Sequence, residues 1–186
     1  MSDPVTRARL EELLRAGDPL AAARAAGVRV GATVALGREA DRSGWLVDGD
    51  EERPLAEHRA AHAAGTPSEA AVAYGAGHDP AAVAARIDEL AALARETGLL
   101  RAVAPVPAEG STARPGSWGV EDLTIVAVCR LALPEGVGVR PHWVRLGPAA
   151  CQVAVAFGAS EWLIPQGDGT DADALAAAVG ASVGRP

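Results

Sequence analysis

Along the chain, and most regularly after residue 53, short apolar segments typical of β-strands alternate with longer segments typical of helices. We predict strands at 28–36, 45–50, 68–75, 100–107, 137–146 and 160–165. We predict helices at 53–64, 79–97, 119–133, 148–157 and 171–181. This alternation is typical of βαβ units, whose strands pair in parallel and whose crossovers are right-handed.

Residues 1–27 have a different pattern from the rest of the chain. Leu10, Leu13 and Leu14 form one apolar helical face that ends at Gly17, and Asp18-Pro19 begins a second short helix. We therefore expect a helical lead-in over 1–27 and one α/β domain over 28–186. A chain of 186 residues can bury a core of this size without disulfides or metal ions.

The composition argues against several classes of function. A net charge of −7 and an aromatic content of 3% are unfavourable for binding nucleic acid. No lysine is present for Schiff-base or P-loop chemistry, and no GxGxxG motif follows a predicted strand. No apolar run has the length of a membrane span or a signal sequence, so we expect a cytoplasmic protein.

Candidate site residues lie where the predicted parallel strands end, because ligands of α/β proteins bind at that edge of the sheet. The candidates for ligand binding are Tyr74, His78, His142, Trp143, Arg145 and Gln166. His142 and Arg145 could clamp an anionic group, although strand alternation would place them on opposite faces. Asp79 is interpreted as the N-cap of the following helix, and the segment around Asp168 as a turn and a helix cap.

His58 and His62 lie four residues apart on a predicted helix, a spacing that could serve a zinc ion. Arg59 stands where the HExxH motif has its catalytic glutamate, and a third ligand is missing. We therefore interpret the two histidines as exposed residues on the surface of the helix and predict no metal site.

Residues 55–161 resemble the C-terminal half of one group of radical S-adenosylmethionine enzymes: aminofutalosine synthase, dehypoxanthine futalosine cyclase and FO synthase. The matching stretches are "EHRAAHAAGTPSEAAVAYG", "RIDELAALARETGLLRAVAPVPAEG", "GVEDLTIVAVCRLAL" and "HWVRLGPAACQVAVAFGASE". The last stretch is the most specific, through Trp143, Leu146, Gly147, Pro148, Gln152, Phe157, Gly158 and Ala159. The resemblance implies a TIM-type barrel, of which this chain would hold the second half.

The chemistry of that family requires a CxxxCxxC loop that holds a [4Fe–4S] cluster. This chain has two cysteines, Cys129 and Cys151, each inside an apolar helical run that is typical of buried thiols. We therefore expect no cluster, which also argues against S-adenosylmethionine binding. The fold class predicted is α/β, a truncated (βα) TIM-like partial barrel of about six mainly parallel strands.

Two functions remain open. The first is a non-catalytic accessory protein that binds a small aromatic or nucleoside-like molecule, or docks on an active relative or on itself as a dimer, in the futalosine route to menaquinone. The second is a cluster-independent hydrolase, isomerase or lyase that uses His142, His78 and Asp168 as acid–base groups. Convergence of these side chains within hydrogen-bond reach would favour the second.

Overall fold

The structure, a computed structural model, describes residues 5–28, 35–37, 52–108, 119–165, 168–180 and 182–184. The helices are α1 Arg7–Ala16, α2 Pro19–Ala25, α3 Leu55–Ala63, α4 Pro80–Thr97, α5 Val120–Ala132, α6 Trp143–Ala154 and α7 Ala172–Ala178. The strands are β1 Ala35–Gly37, β2 Ser68–Tyr74, β3 Leu100–Pro107, β4 Gly138–Val139 and β5 Ser182–Gly184. The predicted strand 45–50 and the candidate Gln166 lie outside the described residues.

The strands β2, β3 and β4 form a parallel sheet in that order. Alternate residues of β2 point to opposite faces: Ala70, Val72 and Tyr74 pack under the helices, whereas Ala71 packs on the other face. The helices α4 and α5 cover the first face, and α1 and α2 pack outside them, so the main core is built in layers. Both helices of the lead-in are thus present and attached to the core.

Helix boundaries follow from local chemistry. Asp79 accepts a hydrogen bond from the Ala81 amide at the start of α4, as predicted, and Pro80 occupies the first turn. The same helix ends at Gly98, whose φ of 66° is a left-handed conformation that suits glycine. These signals explain why the predicted boundaries of α4 match the observed ones.

The prediction of a TIM-like partial barrel with about six mainly parallel strands is wrong. Within the described residues the main sheet is small and open, with three strands, while β1 and β5 pair separately. The predicted strand 137–146 stops early: Arg140 still donates its amide to the Val103 carbonyl, at 2.9 Å, but Pro141 has no amide to donate.

The predicted strand 160–165 also fails to form a ladder with β4. The amide of Val139 donates to the Ser160 hydroxyl, at 2.9 Å, instead of to a backbone carbonyl. The amides of Ser160 and Glu161 both donate to the Val139 carbonyl. Because all these backbone hydrogen bonds involve Val139 alone, the segment forms no ladder and does not extend the sheet.

A second, smaller core lies under α6 and α7. Trp143 and Trp162 are buried there with their ring centroids 5.8 Å apart and their planes tilted by 55°. The Trp162 indole donates to the Cys151 carbonyl at 3.0 Å. Helix α6 is kinked at Gly147, where φ is 78°, so its first turn is separated from the segment that begins at Pro148.

Candidate functional site

At the carboxyl end of β2, the side chain of Tyr74 is buried against the start of α5. Its hydroxyl donates a short hydrogen bond to Asp122 Oδ1. The other oxygen of this buried carboxylate accepts from the amide of Gly119, at 3.1 Å, which caps the first turn of α5. Tyr74 is therefore held in one orientation by a neighbouring βα unit.

A cavity of about 80 Å³ opens beside Tyr74. Its polar side chains are Tyr74, His78, Glu121 and Thr124, and its apolar lining includes Val83 and Ile125. His78 is exposed and stands on a turn in which its amide donates to the Gly75 carbonyl, at 3.0 Å. This volume holds a few water molecules or a small substituent and not a whole nucleoside.

The residues around 142–145 form a helical turn and not a strand end. His142 is the N-cap of α6, and its Nδ1 accepts from the Arg145 amide at 3.2 Å. The Arg145 guanidinium donates to the Pro107 carbonyl, at 2.8 Å, and so ties this turn to the end of β3. The expected placement of 142 and 145 on opposite strand faces is therefore wrong, because a helical turn brings residues three apart onto one side.

Trp143 lies beneath that turn. It is 3% exposed, and its indole N–H donates to Asp168 Oδ2 at 3.2 Å. Asp168 itself is exposed, and hydrogen bonds from the Thr170 hydroxyl and from Trp143 lower the pKa of its carboxyl group. Asp168 is thus held as an ionised acceptor, which is unfavourable for a general acid near neutral pH.

The structure brings some of the predicted site residues together and separates others. Tyr74, Pro107 and Arg145 lie together at the carboxyl edge of the sheet, although Arg145 reaches it from a helical turn and not from a strand. The three candidate acid–base residues occupy three different local settings: His142 caps α6, His78 borders the cavity of Tyr74, and Asp168 binds Trp143. Gln166 lies outside the described residues.

The interpretation of His58 and His62 as exposed residues is wrong. His58 is fully buried and His62 is 6% exposed. His58 Nδ1 and His62 Nε2 each lie 2.8 Å from the Ser68 hydroxyl, and His62 Nδ1 lies 2.8 Å from the Thr97 hydroxyl. We call His58, His62, Ser68 and Thr97 the histidine network. Sequence reasoning missed it because its members are spread over α3, β2 and α4.

A second polar cluster lies on the opposite face of β2, and we call Glu69, Arg140 and Glu161 the arginine cluster. Arg140 is 3% exposed and binds Glu69 with two hydrogen bonds of 2.8 and 3.0 Å. It also donates to Glu161 at 2.6 Å. Burial disfavours the guanidinium charge, but the charges and hydrogen bonds of both carboxylates outweigh burial and raise the pKa of Arg140.

The two cysteines are buried, as predicted. Burial raises the pKa of Cys129 to about 12 and that of Cys151 to about 12, so both thiols stay protonated near neutral pH. In the part of the chain that the structure describes, no three His, Cys, Asp or Glu side chains are grouped so as to hold a metal ion.

No family profile matches the chain, and no curated protein sequence is significantly similar to it. Among the described helices, none has both the length and the apolar composition that crossing a membrane requires.

Proposed function

We propose that this protein is a non-catalytic, cluster-less relative of the futalosine-type radical enzymes that binds a small aromatic or nucleoside-like molecule at the carboxyl edge of its sheet. The turn that carries His142 and Arg145, anchored on the end of β3, is the observation that supports it. A half-buried imidazole and a half-buried guanidinium at a strand end suit a flat ligand with an anionic or carbonyl substituent.

In this proposal each predicted ligand-binding residue that the structure describes has a role that follows from its surroundings. Arg145 and His142 contact the ligand, and buried Trp143 supports their turn from below. Tyr74 and His78 line the small cavity, which takes one substituent of the ligand while the rest lies across the edge. The resemblance alone suggests the menaquinone route, the cytoplasm as the compartment, and a homodimer or an active relative as a partner.

The chemistry of the thiols supports a role without a cluster. The chain has two cysteines, Cys129 and Cys151, both buried in helices, whereas the CxxxCxxC loop of the radical enzymes supplies three thiolates. A cluster-independent enzyme is the second candidate, favoured by one observation: His78 borders the same cavity as the buried Tyr74–Asp122 pair.

A thermal-shift screen tests the proposal, with futalosine-type nucleosides, menaquinone precursors and S-adenosylmethionine as probes. A ligand present at about 100 times its Kd stabilises the folded protein by about 2.7 kcal/mol, which raises the Tm of a chain this size by about 5–10 °C. Arg145→Ala should abolish that shift, whereas Arg101→Ala, a change at an exposed position of β3, should keep it.

Two results would decide against the proposal. If no nucleoside or precursor raises the Tm of the unmodified protein, ligand binding at this edge is wrong. If a ligand binds and is converted, with conversion lost in His78→Ala, the second candidate replaces the first.

A further inference from the structure

Helix α3 is attached to the sheet in an unusual way. Its buried residues are His58 and His62, and Leu55 is only partly buried against the main core. A surface helix usually docks through an aliphatic stripe, as α4 does with Val83, Ile87 and Leu90. The docking of α3 on β2 and α4 therefore depends on two titratable side chains.

One arrangement of protons satisfies the hydrogen bonds of the network with both rings neutral. The Thr97 hydroxyl has one proton and donates it to the Leu93 carbonyl, at 2.9 Å, so its oxygen accepts from His62 Nδ1–H. In neutral His62 the other ring nitrogen, Nε2, is an acceptor, and the Ser68 hydroxyl donates to it. The Ser68 oxygen accepts in turn from His58 Nδ1–H. In this arrangement both imidazoles are neutral, and a second proton would either remove the Nε2 acceptor of His62 or place a charge on the fully buried ring of His58.

The charges around the network also disfavour a second proton on either ring. The charged groups from α3, its lead-in and α4 are Arg53, Glu57, Arg59, Arg86 and Glu96. Each of these glutamates is paired with an arginine, Glu57 with Arg53 and Glu96 with Arg59. From β2, Ser68 faces the rings, while Glu69 points to the other face and binds Arg140.

Burial lowers the pKa of His58 to about 4, with smaller contributions from Arg86, His62 and Arg53. Burial also lowers the pKa of His62, and Arg59 adds to this effect. When the rings are exposed to solvent, as in the unfolded chain, both have a pKa near 6.5. The docked helix therefore loses stability as the pH falls from 6.5 towards 4, and it is unaffected above that range.

We propose that α3 is an acid-released helix, in which protonation of His58 and His62 separates α3 from β2 and α4 while the rest of the sheet stays folded. Release exposes the buried end of the edge strand β2 and the adjoining face of α4. The histidine network lies at the start of β2, whereas the proposed ligand site lies where β2 and β3 end.

Amide hydrogen exchange at pH 7.5 and pH 5.0, corrected for intrinsic exchange rates, tests the proposal. His58 alone should lower the protection factors of α3 by about 25-fold, from the difference between its docked and exposed pKa values. The protection factors of α5 should change by less than about threefold, because α5 does not belong to the released part.

Variants then assign the effect to the network. His58→Asn with His62→Gln keeps polar groups at the ring positions but removes both titrations, so the change at α3 should fall below about threefold. His78→Asn is the matched control, since it removes an exposed imidazole outside the network and should keep the full change.

Should the double variant fail to fold, NMR titration of the histidine rings in the unmodified protein decides the matter. Ring protonation that coincides with the loss of α3 protection supports the proposal. Rings that titrate near pH 6.5 while α3 stays protected would overturn it, as would equal losses of protection in α3 and α5.

Discussion

Ser68 and Glu69 are neighbours on β2, yet they belong to two clusters of opposite character on opposite faces of the sheet. The histidine network of Ser68 is buried, and burial favours the neutral form of both its rings. The arginine cluster of Glu69 is ionic and requires its charges. The comparison teaches that one strand can carry two kinds of buried polar contact, one between neutral groups and one between charged groups, on its two faces.

The largest loss of stability should come from a substitution in the arginine cluster. Arg140→Met leaves Glu69 and Glu161 mostly buried without their cation, so we expect the free energy of unfolding to fall by about 3–5 kcal/mol. Urea denaturation measures this loss. Arg101→Met, at an exposed position of β3, should change stability by no more than about 0.5 kcal/mol. An Arg140→Met protein as stable as the original would show that the cluster contributes little.

The second-largest loss of stability should come from a substitution in the histidine network. Ser68→Ala removes the hydroxyl that both imidazoles share, and we expect a loss of about 1–3 kcal/mol at pH 7.5. Thr66→Ala, a change at a nearby exposed position, should stay within about 0.5 kcal/mol. Equal stability of the two variants in urea would mean that the network does not hold α3.

A substitution at Gly138 tests how tightly the arginine cluster is packed. A Cβ atom there would lie 2.6 Å from Glu161 Cδ, whose carboxylate is held by Arg140. We expect Gly138→Ala to cost about 1–3 kcal/mol in urea denaturation. Gly136→Ala is the matched control, since its Cβ would meet no heavy atom within 4 Å. Similar losses for both variants would indicate a backbone effect and not a contact with Glu161.

The smallest change in stability should come from substitution of Asp168, whose side chain is exposed. Asp168→Asn keeps an acceptor for the Trp143 indole, so we expect the Tm to stay within about 1 °C. The Trp143 indole N–H resonance should nonetheless shift, because a neutral acceptor replaces a charged one. An unchanged resonance would show that the hydrogen bond is not formed in solution.

Much of the fold could be predicted from local signals. The segment from β2 through α5 was predicted closely, because Asp79, Pro80 and Gly98 mark helix ends and β3 is a continuous apolar run. The wrong prediction of a strand over 137–146 also has a local cause. Pro141 and the capping side chain of His142 end the strand, and these signals outweigh the β-propensity of the flanking valines.

The sites were predicted less well, for a different reason. The position of Tyr74 at the carboxyl edge follows from parallel topology, which a sequence can indicate, whereas Arg145 reaches this edge from a helical turn that was predicted as a strand. The burial of His58 and His62 depends on hydroxyl groups at Ser68 and Thr97, which come from other elements. Periodicity shows which residues of a helix share a face, but not whether distant polar partners allow a polar face to be buried.

The position of Ser68 beside Glu69 also restricts how β2 can align with its neighbour. A slip of one residue would exchange the two faces of the strand, placing a carboxylate between two imidazoles and a hydroxyl beside a guanidinium. Both clusters would then be broken at once. An insertion within β2 should for this reason be far more damaging than one in the exposed turn at 64–67, where the chain can bulge outward without changing the alignment.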